Sequence, residues 1–157
     1  MTYRDFVDYV KSSARQVGTF FTEPDDDWEP VALLETKEGE MVIVSLAMDK
    51  QLWPKAISEM VEQAGIVKVA LVTSSWGLEF ETPEEYEAYM ENDEPSPSKH
   101  PNGFEMLVLS IFDQERVEAW SARIQRHDDE PPTLDEWDWG GTEPDGRMIE
   151  PIREAMR

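Results

Sequence analysis

The run Ile66–Thr73, IVKVALVT, decides how this chain folds. Apart from Lys68 it is apolar on both faces up to its final threonine, which predicts a central strand with cover on each side. A second run of the same kind, Phe104–Phe112 (FEMLVLSIF), follows a Pro- and Ser-rich loop. Asp113-Gln114-Glu115-Arg116 then turns the chain into Val117–Arg126, which reads as its partner strand. Upstream, Val31–Thr36 and Met41–Met48 are short β-rich runs around Lys37-Glu38-Gly39-Glu40, a hairpin signal.

Helices fill the intervals. Phe6, Val10, Ala14 and Val17 make one apolar stripe, predicting a helix over Tyr3–Val17 capped by Thr2, with Asp5 in its first turn and Gly18 as its stop. Trp53, Ala56, Ile57, Met60, Val61 and Ala64 predict a second, from Pro54 to Ala64, with Gly65 as its end. Thr82-Pro83-Glu84-Glu85 joins a capping box to a first-turn proline and opens a short helix to about Asn92. Ile149, Ile152 and Met156 mark a last, weaker helical turn.

The order helix, hairpin, helix, strand, short helix, hairpin predicts an α+β fold. Its core is a single, mostly antiparallel sheet of about five strands covered by two main helices, over residues 1–127. Residues 128–157 read as an acidic extension rich in Trp, Pro and Gly that packs on the domain or is partly ordered.

The chain has 157 residues, with 35 acidic and 14 basic side chains and a net charge of −21. Three segments carry acids and no Lys or Arg: five acids in 22–30 (TEPDDDWEP), eight in 79–94 and eight in 128–145. The remaining 14 acids equal the 14 bases, so the excess charge belongs to three connections and the scaffold is balanced. Direct nucleic-acid binding and an anionic membrane surface are disfavoured, because both rest on Lys and Arg. With no cysteine there is no disulfide framework, thiolate chemistry or Cys-type zinc site. No leader or membrane-spanning run is evident, so a cytoplasmic setting is expected.

Candidate chemistry is sparse. His100 and His127 read as exposed loop residues. The run Asp25-Asp26-Asp27 lacks the alternating oxygens, sixth-position Gly and twelfth-position Glu of a calcium loop. Ser74-Ser75-Trp76-Gly77, after the central strand, lacks the flanking glycines of a nucleophile elbow. There is no glycine-rich phosphate loop. Neither catalytic nor metal-binding residues are assigned, and no cofactor is expected. Glu35-Thr36-Lys37, at a strand end, resembles the active-site arrangement of PD-(D/E)xK nucleases, with Asp25 as the first acid; there the acids hold Mg²⁺ and the lysine stabilises phosphate charge.

Tryptophans inside the acidic connections stand out. Either Trp28, Trp137 and Trp139 fold back as plugs, or they are anchors rimmed by acids. The second option defines a candidate interaction surface: Asp25, Asp26, Asp27 and Trp28; Tyr86 and Tyr89; and Asp135, Glu136, Trp137, Asp138 and Trp139.

The strand ending in Ser75-Trp76, the acidic insert, Pro97-Ser98-Lys99-His100-Pro101-Asn102, then FEMLVLSIF and a second strand resemble a group of small uncharacterised acidic proteins of bacteria and their phages. The resemblance spans Val67–Arg126 and implies a paired hairpin and a prokaryotic or phage cytoplasmic setting. It carries no activity.

The leading expectation is a non-catalytic interaction protein, an adaptor or inhibitor, whose acidic-aromatic segments bind a basic protein. A DNA mimic that blocks nucleic-acid-binding or defence proteins is an alternative if the three segments converge. A metal-dependent hydrolase or nuclease using Glu35 and Lys37 is another. Oligomeric state is left open.

Overall fold

The computed structural model describes residues 1–92, 94–142 and 146–157. The acids Asp93, Glu143 and Asp145, counted above, lie outside the described residues.

Helix α1 (Tyr3–Gly18) leads to strands β1 (Val31–Thr36) and β2 (Met41–Ser45), then helix α2 (Trp53–Ala64) and strand β3 (Ile66–Leu78). Helix α3 (Pro83–Asn92), strands β4 (Gly103–Phe112), β5 (Val117–Gln125), β6 (Thr133–Leu134) and β7 (Asp138–Gly141), and helix α4 (Gly146–Met156) complete the order. The fold is α+β, as expected, but among the described residues the sheet has seven strands where about five were predicted. Its order is β2-β1-β3-β4-β5-β6, with β7 also on β5, and every pairing is antiparallel. The two extra strands come from the segment read as an extension.

β3 sits between β1 and β4, as a run apolar on both faces requires. Val69 and Leu71 face one core and Ala70 and Val72 the other. On one side α1 buries Phe6, Val7, Val10 and Ala14 against Leu33, Leu107, Leu109 and Ile111. On the other, α2 and α4 bury Ile57, Val61, Ile149 and Ile152 against Leu34, Val69 and Phe112. The cover on that side is therefore a helix pair. Burying Ile149, Ile152 and Met156 contributes roughly 1.5–3 kcal/mol each as an upper estimate, a large share of a domain's net stability.

Local signals act as read at both ends of the first two helices, with one exception. The Thr2/Asp5 capping box is present at α1. Gly65 ends α2 in the left-handed region, at φ 65° and ψ 52°. Gly18, however, lies inside α1, and Thr19 ends that helix with ordinary right-handed dihedrals.

β3 also runs to Leu78, beyond the predicted Thr73. Ser74–Leu78 continue the ladder against Gly103–Leu107. Gly77 permits this, since a Cβ there would lie 2.6 Å from the Phe104 ring that crosses it. Trp76 consequently stays on the strand, 43% exposed.

Candidate functional site: the acidic end of the sheet

Antiparallel pairing sets the geography. The start of β1, the end of β3, the start of β4 and the end of β5 share one end of the sheet, because Val31 faces Val72, Leu78 faces Gly103 and Arg123 faces Met106. α1 ends there too: Tyr3 Oη donates to Ile111 O at the far end, while Arg15 donates to Leu134 O and Asp135 O. Segments 22–30, 79–94 and 128–145 are the connections that meet the sheet at these points, and the third then runs back along β5, where Asp138–Gly141 pair with Ser121–Ala119.

Three arginines tie the segments together. Arg126 donates to both oxygens of Glu105, at 2.7 and 3.2 Å, and to Asp26 O, and pairs with Asp27 at 3.1 Å. The Glu105 bonds, with Asp27 beside them, raise the guanidinium's pKa above its ordinary value, so it stays charged at any relevant pH. Arg123 pairs with Glu79 at 2.7 Å, and its carbonyl accepts from Asp135 N–H. This joins the second segment to the third. Arg15 holds the third segment to α1 and lies 5.4 Å from the Trp137 ring.

The candidate residues divide by position. Trp28 is a plug: 4% exposed, its indole donating to Ala14 O at 2.8 Å, with Phe21 edge-on at 4.7 Å. It belongs to the core and is not an exposed anchor. Trp137 is half-buried against the same core. Trp139 is 54% exposed and packs edge-on to Trp120, over whose ring the Lys11 ammonium lies at 3.7 Å. Tyr86 is exposed; Tyr89 is half-buried. With Phe80 and His100 they form the aromatic cluster that seats α3, which has no fully buried residue of its own.

Asp26 accepts the N–H groups of Thr22 and Glu23, which hold its carboxyl below the ordinary range. Asp25, Asp27, Asp135, Glu136 and Asp138 are exposed. So are Glu81, Glu84, Glu85, Glu87 and Glu91 around α3. The arginines and Ile43, discussed below, were absent from the sequence-based site. Arg123 and Arg126 could have been found as the cations bordering the third acid run.

Glu35 and Lys37 lie at the opposite end and do not converge. Glu35 is buried, with the Met1 amine at 3.1 Å and Lys68 Nζ at 3.0 Å. Lys68 donates its well-aligned bond to Met1 O, so its contact with Glu35 Oε2 is one of charge. The Lys37 stem packs on Gly65. Asp25 is across the molecule. Among the described residues no group of three or more His, Cys, Asp or Glu is placed to hold a metal ion. His100 is more than a loop residue, meeting the rings of Phe80 and Tyr89 edge-on while its Nδ1 accepts from Asn102 N–H. His127 is exposed, beside Thr133.

Fold and site together define an antiparallel α+β protein with helices on both sheet faces and one acidic, aromatic end. No protein-family model matches the chain, and no match was found among curated proteins or solved structures. Among the described residues no helix is long and apolar enough to cross a membrane.

Proposed function

We infer that the chain is a non-catalytic interaction protein, an adaptor or inhibitor, that binds a basic protein surface with the acidic end of its sheet, in a bacterial or phage cytoplasm. One observation carries this reading: the three acid-only segments all meet the sheet at that end and are joined by Arg15, Arg123 and Arg126. Those arginines pair with only a few carboxylates, and the same segments carry the exposed aromatics Tyr86 and Trp139. Dense like charge raises association rates with a cationic partner, and exposed aromatics supply the contacts that slow dissociation.

A DNA mimic, the alternative reading, would draw on the same three acidic segments. A phosphate array carries charge without indoles, however, so exposed aromatics among the carboxylates favour the protein-binding reading.

The test is affinity capture from bacterial lysate at low and at physiological salt. Wild type is compared with a chain carrying Glu84→Gln, Glu87→Gln, Glu136→Gln and Asp138→Asn. A basic partner retained at low salt, released by screening and missed by the neutralised chain is the expected result. Recovery of no partner at low salt overturns the reading. Capture of a partner that duplex DNA displaces assigns the DNA-mimic alternative.

A further inference from the structure

We propose that the open edge of β2, with the groove beside it, takes an extended Lys- or Arg-rich apolar peptide as an added strand. This rests on the acidic end being a protein-binding surface and gives the bound partner a conformation.

Among the described residues, β2 is the last strand on its side of the sheet and pairs only with β1. Two bonds set the phase of that ladder: Thr36 N–H to Glu40 O and Leu46 N–H to Pro30 O, both 2.9 Å. Backbone groups of a strand alternate between its two sides, so Val42 and Val44 direct theirs at β1. Met41, Ile43 and Ser45 direct theirs outward, as a template for another chain.

The same three residues carry their side chains on the α1 face, since Ile43 is opposite Leu33. Ile43 is 65% exposed. It rims a groove of about 360 Å³ between α1 and the sheet edge, walled by Ala14, Val17, Trp28, Val31 and Leu33. Alternate side chains of an added strand would lie beside Ile43 and over this groove. Asp27 and Glu29 also line it, and both belong to the first acidic segment.

Charge identifies the occupant. Proteins commonly guard a free edge with Lys, Pro or a bulge, and MVIVS has none of these. Two copies meeting through this edge would each bring a net charge of −21, with Glu29 beside the contact, so self-pairing is opposed. A cationic strand meets attraction at the same place.

The probe is a blocked peptide of about eight residues alternating Lys and Val, roughly one strand in length, with a Glu–Val peptide as control. Binding to the full chain is followed by backbone-amide NMR at low ionic strength. Expected are shifts at Met41, Ile43, Ser45 and the Trp28 indole N–H, with no response to the control. Ile43→Lys should weaken binding about tenfold or more, or about 1.4 kcal/mol by the affinity relation. Ile43→Pro, which removes one outward N–H and no bond to β1, should do the same. Shifts confined to α3 and residues 135–139, with Ile43→Lys binding normally, overturn the groove and leave the acidic end standing. No binding of the Lys–Val peptide anywhere counts against both. A dimer abolished by Ile43→Lys gives the edge to a second copy and overturns the proposal.

Discussion

The Trp28 indole lies across Gly18: a Cβ at position 18 would sit 2.8 Å from its Cζ2. The ring cannot yield easily, because it is buried and held by its bond to Ala14 O. Gly18 is therefore a clearance for Trp28 within α1, not a left-handed stop.

Gly18→Ala sets two effects against each other. Alanine gains up to about 1 kcal/mol in helix propensity, less at a terminus, while overpacking costs about 1–3 kcal/mol. A net loss near 1 kcal/mol in urea denaturation is expected, with altered near-UV circular dichroism from Trp28. Trp28→Ala should cost about 3–5 kcal/mol. A stabilised Gly18→Ala chain would show that the ring moves freely.

Lys68→Met removes one of the two cations on buried Glu35. Breaking a buried pair costs about 3–5 kcal/mol, and retention of the Met1 amine should hold the loss to the lower end. Adding Glu35→Leu should restore most of it. If the double variant is as unstable as the single one, burial of Glu35's charge is not the cause.

Acid should loosen the first acidic segment and the start of α1. Thr2 hydrogen bonds lower the Asp5 pKa, and the Glu23 and Thr22 N–H groups lower that of Asp26. A depressed carboxyl pKa stabilises the fold above the unfolded value near 3.9, and the contribution is lost as pH falls through the lower folded value. Wild type should thus lose this stability only below about pH 4. Asp5→Asn and Asp26→Asn should weaken the same amides at neutral pH and remove that part of the acid dependence. Amide exchange at Thr22, Glu23 and Asp5 reads it directly.

Arg126→Gln should cost about 1–2 kcal/mol, less than the full value of a charged hydrogen-bond pair because the site is partly solvated. Protection should fall in residues 22–28 and not in α2. Equal loss in α2 would mean that Arg126 stabilises the whole fold.

Salt should stabilise the chain. Unpaired carboxylates at one end repel across distances that screening shortens from about 30 Å at 0.01 M to about 8 Å at 0.15 M. Melting temperature should rise over that range, and less in the chain neutralised at Glu84, Glu87, Glu136 and Asp138. A flat response would show that the acids are too far apart to interact.

Elements bound by strong local signals were legible. IVKVALVT announced a buried strand, Thr2 with Asp5 a helix start, and Gly65 a helix end. Ser74–Leu78 was not, because polar residues and a glycine read as departure from the sheet, whereas the Phe104 ring covers Gly77 only once the strands pair. β6 and β7 were hidden in acidic, Pro- and Gly-containing chain whose pairing with β5 is set by tertiary contact. The charged segments were legible as segments, but their meeting the sheet at one end follows from strand order, which no local pattern states. Trp28 shows the same limit: nothing in PDDDWEP distinguishes a core plug from an anchor.

α2 and α4 close one face of the sheet together, yet the whole β3–β5 meander separates them in sequence. During synthesis the sheet can pair, and α1 can cover its own face, while Ile57 and Val61 still lack their partners Ile149 and Ile152. The nascent protein must pass through a stage with one face sealed and the other half-roofed. Protection from aggregation in that interval falls to the electrostatic repulsion of acidic runs already made.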